Sequence, residues 1–458
     1  MDDAGLKADI VIIALRRARR TALERGLGLK PTDGDSDTRS IAIAASCNLS
    51  IKAHGTAISC GTSPANSPFQ KYLILWPERG KTLSKSKAIL LPNSPNSFAI
   101  NGILLLYKMT LTADIDGRKA PVAFAVTGAM PFFGLIAAHG ALSVVLAFAT
   151  GYRFDPGMAG ILSMILVFLV PWFLLLLLIR RVVLLAVVDK SERPIADLWS
   201  VLKALAADRP RLFGGALRLA AAAFLIGSFA YQKELVAVLQ PFGWDQAFAD
   251  LDRFLHLGHD PYALVLAAAG TPWAITTLNA AYHAWFFVIY FIVFVACFAP
   301  PHHRASSVFL IALVLTFAIG GNLVAMAFSS AGPVYFERLG LGDDFVPLMT
   351  HLAQAAETSP VWALDVQEGL WDGYAGDGAL AGISAMPSMH VATTVLLALY
   401  AASYARWAGI LLWIFAALIM VGSVALGWHY AVDGYAGALI AWAAWRAGFW
   451  LNDRFSPA

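Results

Sequence analysis

The chain has 458 residues, of which 59% are hydrophobic and 14% charged, and its mean hydropathy is +0.65. A soluble globular chain carries far more charge than this, so the composition places the protein in a bilayer. The formal net charge of +3 is spread over many loops with no long basic run, which argues against nucleic acid as a partner.

Residues 1–118 differ from the rest. Ser, Thr, Asn, Gly and Pro are frequent, and no apolar run reaches the length of a membrane span. The short run Ile10 to Leu15 precedes Arg16, Arg17, Arg19 and Arg20, the reverse of the order in a secretory signal peptide. This segment is expected to be disordered, or to be a non-native extension upstream of the true start. The three cysteines, Cys47, Cys60 and Cys297, have no metal or redox spacing, so neither a metal nor a cofactor is expected.

From Pro121 onward, eight apolar stretches are long enough to cross a hydrocarbon core of ~30 Å at ~20 residues per helix. They cover 121–149, 158–188, 212–232, 273–299, 305–328, 387–404, 407–426 and 429–449. The expected architecture is an all-α integral membrane protein. Residues 119–211 would form two additional helices and a basic cytoplasmic loop, and 212–450 a six-helix core. Between the third and fourth stretches, Trp244, Phe248, Leu251 and Leu255 recur at helical spacing, as in a helix lying at the membrane interface. The longest connection, 329–386, carries eight acidic residues and Arg338 as its one strong cation. Lys and Arg concentrate in the alternate loops 189–211, 300–304 and 404–406 and in the C-terminal tail, which puts those on the cytoplasmic side. The acidic 329–386 loop and the starts of the sixth and eighth helices then share the outer face, where Lys233 and Arg253 are read as loop residues.

Those two helix starts hold the chemistry. The sixth opens on Pro387-Ser388-Met389-His390, with Pro387 suited to the first helical turn and His390 four positions in. Free amides and the positive end of the helix dipole would attract an anion there, and Ser388 adds a hydroxyl donor. The eighth opens on Gly427-Trp428-His429-Tyr430-Ala431-Val432-Asp433. His429 and Asp433, four apart, fall on one helical face, so the carboxylate can orient the ring and leave its other nitrogen free to attack. With the two starts adjacent, His390 would protonate the departing oxygen. Each histidine alone is most simply a residue bonded to a carbonyl or headgroup, but an aspartate within a span points to a functional or paired role.

Pro387-Ser388-x-His390 resembles the Pro-Ser-x-His motif of the type 2 phosphatidic acid phosphatase superfamily. Gly422 to Asp433 is similar to its Ser-Arg-x5-His-x3-Asp motif, and the resemblance covers about 212–450. It implies a six-helix membrane bundle, a phosphohistidine at His429, orientation by Asp433, general acid action by His390 and a phosphate contact from Ser388. Two departures stand out: Gly422-Ser423 replaces the Ser-Arg pair, and no Lys-x6-Arg-Pro precedes Pro387. The substitution of a small polar residue such as Ser423 for arginine resembles the inositol phosphorylceramide synthase branch, which implies transfer of a phospholipid headgroup to a lipid hydroxyl. The alternatives are a lipid phosphate phosphatase or polyprenyl pyrophosphatase of the same superfamily and, from another class, a transporter or scaffold. Membrane lipids are the expected partners; no oligomeric state follows. In a bacterium, the expected location is the inner membrane with the site on the periplasmic face. Arg338 is a candidate phosphate contact or, equally, a surface ion-pair partner of nearby carboxylates. Asn279 and His283 are expected to hydrogen-bond between helices, and His302 and His303 to lie in a solvated turn.

Overall fold

The computed structural model describes three short strands within residues 57–90 and residues 129–300, 303–376 and 382–455. The chain divides into two units, Met1–Asn101 and Gly102–Ala458. In the first, β1 (Ala57–Ser59), β2 (Tyr72–Trp76) and β3 (Lys87–Leu90) form an antiparallel sheet in that order, with Ile58 opposite Leu73 and Ile74 opposite Ile89. The remainder of 1–118, for which disorder is expected, lies outside the described residues.

Every other described regular element is helical. In chain order these are α1 (Met130–Thr150), α2 (Met158–Val187), α3 (Pro194–Ala207), α4 (Arg209–Leu239), α5 (Asp245–Leu255), α6 (Pro261–Ala269) and α7 (Pro272–Cys297). There follow α8 (Arg304–Ala327), α9 (Val346–Ala356), α10 (Ala363–Ala375), α11 (Met389–Tyr404), α12 (Arg406–Ala425) and α13 (Ala431–Phe455). Six of them, α1, α2, α4, α7, α8 and α12, are long and apolar enough to cross a membrane. The protein is an integral membrane protein. The sixth and eighth expected spans are also helices, but α11 has 16 residues, or about 24 Å at ~1.5 Å per residue. α13 has 25 residues, with Asp433, Arg446, Asp453 and Arg454 among its apolar ones.

Burial ranks the helices. Of the apolar stretch of α8, 78% is buried, against 17% for α2, so α8 is central and α2 peripheral. The core is continuous through α4, α7, α8, α11, α12 and α13, with Phe309, Leu348, Leu396, Ile419 and Leu426 fully enclosed. The expected basic loop 189–211 is mostly helix. Pro194 supplies a preset first turn, and Ile195, Leu198, Leu202 and Leu205 repeat at helical spacing to form α3. Asp208 then caps α4 by accepting the Arg211 amide at 3.3 Å. α4 runs 31 residues, well past the expected end at 232, and so takes Lys233 out of a loop and into a helix.

α1 is tied to the core by a buried polar network. The His139 Nδ1 lies 2.9 Å from the Ser228 Oγ on α4, and its Nε2 lies 2.9 Å from the Asn322 Oδ1 on α8. The Oδ1 can only accept, so Nε2 carries the proton. The Gln232 amide donates to the Ser143 Oγ at 2.8 Å and the His139 carbonyl at 3.1 Å. Asn322 sits in a π-helical stretch, Thr316–Val324, whose widened turn carries its side chain toward α1. Replacing Asn322 with Leu strands His139 Nε2–H away from water, at about 1–3 kcal/mol. We expect Asn322→Leu to lower the detergent-solution unfolding temperature by several degrees, measured by thermal shift, with helical content by circular dichroism at low temperature retained.

Candidate active site

α13 begins two residues after His429, so His429 lies in a tight turn and not on the helix itself. Gly427, at φ +73°, turns the chain, and the Trp428 and His429 amides both donate to the Ser423 carbonyl, at 3.1 and 3.2 Å. The Ser423 hydroxyl donates to the Met420 carbonyl at 2.8 Å. The side chain expected to meet a phosphate is therefore engaged within α12, and Ser423 serves the histidine through its backbone.

Asp433 reaches back from the first turn of α13. Its Oδ2 accepts the Tyr430 amide at 3.0 Å, the acidic half of a capping box, and its own amide donates to the Tyr430 backbone carbonyl at 3.2 Å. The same Oδ2 stands 3.4 Å from His429 Nδ1. Asp433 is fully buried and His429 is 7% exposed. His429 Nδ1 and Asp433 Oδ1 have no hydrogen-bond partner. The pair is thus held by the turn at a separation that a small closure converts into a hydrogen bond.

A second carboxylate completes the cap from outside. Asp252 on α5 accepts the amides of Ala431 at 2.6 Å and Val432 at 2.9 Å. Seven positions earlier on the same face, Asp245 accepts the amides of Ala331 and Gly332, at 2.9 and 2.8 Å, and the Tyr430 hydroxyl at 3.0 Å. Burial pushes both carboxyls up from the ordinary carboxylate range, and these donors pull them back. α5 is the expected interfacial helix, with Leu251, Phe254 and Leu255 exposed on its outer side. Its inner side, however, grips the histidine turn. The start of α13 therefore has its amides occupied by carboxylates, not open to a phosphate.

α11 starts two residues later than expected. Ser388 is its N-cap, its Oγ accepting the Val391 amide at 3.5 Å, so Pro387 precedes the helix and His390 is its second residue. The Ser388 amide donates to the Asp433 carbonyl at 2.9 Å, which joins the two helix starts directly. Gly437 permits this approach: a Cβ there would stand 2.5 Å from the Ser388 carbonyl. The His390 ring stacks on Tyr282 at 4.2 Å and 21° and tilts against Trp285 at 4.1 Å. The Trp285 indole is in turn fixed by a 3.0 Å bond to Thr393 Oγ1. His390 is within electrostatic reach of His429 and His283. The structure thus brings His390, His429 and Asp433 together on one side of the bundle.

Lys233, read from the sequence as a loop residue, is within electrostatic reach of both His390 and His429. The apolar run Leu235 to Leu239 that continues α4 beyond it was the available signal. Arg338 is engaged elsewhere, in a two-point salt bridge to Glu368 and over the Trp371 ring at 5.4 Å. Asn279 Oδ1 accepts the Ala363 amide at 3.2 Å, a helix-to-helix bond from α7 to the start of α10, while His283 bonds within α7. His303 is not a solvated residue: it caps α8 and stacks on Tyr404 at 4.5 Å. His302 lies outside the described residues. Among the described residues, no group of side chains forms a metal site.

Residues 246–447 match the PAP2 superfamily. The matched stretch runs from α5 into α13 and includes every residue above except Lys233, Asp245 and the earlier helices. No curated protein and no solved structure matches the chain. The PAP2 superfamily comprises phosphatases and phosphotransferases, and the match over this stretch is consistent with an enzyme.

Each charge-assisted bond to Asp252 contributes about 1.5–3 kcal/mol. Asp252→Asn keeps one acceptor and Asp252→Ala keeps none. We expect kcat to fall about tenfold in the first and about a hundredfold in the second, with KM within twofold of wild type. Steady-state kinetics on purified protein check this, and an Ala variant with unchanged kcat would remove α5 from the site.

Proposed function

We propose that the protein moves a phosphate-linked headgroup from a phospholipid to a lipid hydroxyl through a phosphohistidine, in the manner of inositol phosphorylceramide synthases. The observation that carries this reading is the sparse positive charge around the paired imidazoles. Among the described residues, Lys233 is the Lys or Arg within reach of both. A phosphodiester brings one negative charge to the reacting group, where a phosphomonoester brings up to two, and so requires fewer cations.

With Nδ1 toward Asp433, the Nε2 lone pair of His429 attacks phosphorus. The bond from phosphorus to the glycerol-lipid oxygen breaks, and protonated His390 gives that oxygen its proton, releasing diacylglycerol. The acceptor hydroxyl then loses its proton to His390 and attacks the phosphohistidine. The P–N bond breaks and the imidazole of His429 is restored. Asp433 stabilises the positive ring that forms along the way. Ser388, whose Oγ accepts from Val391, keeps its own proton for a phosphate oxygen. Arg338 would have to leave Glu368 to join, and an exposed pair of that kind holds it by only ~0–1 kcal/mol. No cofactor enters the cycle.

All eight apolar helices cross the membrane in this reading, with the site on the outer face, periplasmic in a bacterium. Gly369 on α10 is exposed with open space around it, so a cysteine is tolerated there. In a variant whose three native cysteines are Ser, Gly369→Cys is expected to react with a membrane-impermeant maleimide from outside intact cells. Reaction solely after lysis would reverse the orientation.

The activity test uses purified protein with headgroup-labelled phospholipid, with and without ceramide or diacylglycerol. Label is expected to move to the acceptor lipid, and His429→Ala is expected to lower turnover by about 10³-fold or more. Acceptor-independent release of phosphate from a lipid monoester would identify a lipid phosphate phosphatase or a polyprenyl pyrophosphatase instead. Lipid turnover unchanged in His429→Ala would identify a transporter or scaffold.

A further inference from the structure

Tyr282 sits in the middle of α7, and no sequence motif points to it. Its ring is the platform on which His390 stacks, at 4.2 Å and 21°, and it lies parallel to Trp428 at 6.3 Å and 4°. Its other edge faces α12, where a Cβ on Gly422 would stand 3.7 Å from the Tyr282 ring. The side chain is 5% exposed, yet its hydroxyl has no hydrogen-bond partner. That hydroxyl is within electrostatic reach of Asp433. A buried phenol without a partner costs folding free energy, because its water bond is lost and nothing replaces it. Natural chains retain such a group where a ligand supplies the missing partner.

The neighbours say what kind of ligand. Trp428 Nε1 is likewise buried without a partner. It is a donor only, and a tyrosine hydroxyl beside a carboxylate also has its donor to offer. Two neutral donors beside the two imidazoles and one lysine suit an oxygen that carries part of a single negative charge. They do not suit a doubly charged group, which demands guanidinium or a metal ion.

We infer that Tyr282 donates its hydroxyl hydrogen bond to a non-bridging oxygen of the reacting phosphoryl group, Trp428 assisting, and that these neutral donors select a singly charged phosphodiester over a phosphomonoester. This rests on the headgroup-transfer reading given above and adds a catalytic residue to it. The bond is short of full strength in the ground state. It gains as charge builds on the equatorial oxygens, so its loss reports mainly in kcat.

The test compares Tyr282→Phe and Tyr282→Ala with wild type on a labelled phospholipid diester and on a lipid phosphomonoester. Phe keeps the platform under His390 and removes the hydroxyl alone. The expected result is a fall of about 10²-fold in diester kcat/KM for Tyr282→Phe, mostly in kcat, as for loss of one preorganised donor. The diester-to-monoester preference is expected to fall with it, and the thermal unfolding temperature to stay within a degree or two. Full activity in Phe with loss in Ala would reduce Tyr282 to a stacking platform and overturn the donor role. Wild-type kcat/KM in Phe on the diester overturns it as well. Both results leave headgroup transfer standing if wild type performs it and His429→Ala does not. A wild type without diester turnover overturns both readings together.

Discussion

The site depends on how the first turn of α13 satisfies its amides. A helix start leaves backbone N–H groups without intrahelical partners, and in a low-dielectric bundle each must find one. Here Asp433 takes the Tyr430 amide from within the turn, and Asp252 takes those of Ala431 and Val432 from α5. The turn so fixed holds His429, and the Asp433 carbonyl binds the Ser388 amide at the start of α11. One set of hydrogen bonds therefore locates both histidine-bearing segments. The bundle supplies the wall, and the carboxylates set the register.

The same constraint explains why α5 matters. Asp245 and Asp252 are two turns apart on one face, and both are buried. Asp245 binds the loop Ala331–Gly332 as well as Tyr430, and Gly332, at φ +102°, lets that loop approach the Trp428 carbonyl, where a Cβ would stand 2.7 Å away. Arg253, the residue after Asp252, pairs with Asp260 and with Asp344 at 2.6 Å on the outer side. This amphipathic helix thereby clamps the His429 turn on one side while Leu251, Phe254 and Leu255 remain exposed on the other.

What the sequence made legible follows from length and period. Apolar runs of about twenty residues located the helices of the bundle, because no other element satisfies its backbone in lipid. The residues at the two helix mouths were visible because an aspartate and two histidines are expensive inside a span. Lys233 was hidden by its neighbour Glu234, since a charge pair reads as a loop until the apolar residues beyond it are counted. Asp245 and Asp252 were hidden by their helix: polar residues on an amphipathic face look solvated, and only the tertiary fold reveals that this face turns inward. Tyr282 was hidden among the apolar residues of α7, where an aromatic ring is ordinarily core. Pro387 misled by two positions, because a serine cap outcompetes proline for the helix boundary when its hydroxyl reaches the Val391 amide.

In the proposed mechanism, charge balance at the reacting centre favours one substrate class. At effective dielectric constants near 20, a unit charge at ~4 Å interacts by ~4 kcal/mol, so an unbalanced charge in this enclosure weighs heavily. Asp245 and Asp252 are each satisfied by backbone or hydroxyl donors and need no cation of their own. In the proposed cycle that leaves Asp433, Lys233, His390 in its proton-donating form and the incoming phosphoryl group. With a diester the sum is zero, and it remains zero as the proton moves from His390 to the leaving oxygen and positive charge appears on the ring of His429. With a doubly charged monoester the sum is negative, and every step from binding to transfer is opposed. The neutral donors Tyr282 and Trp428 leave this balance untouched, since they follow the developing charge without adding any of their own. In the proposed mechanism, the site therefore handles a phosphoryl group that already carries two organic substituents, one to be released and one to be kept.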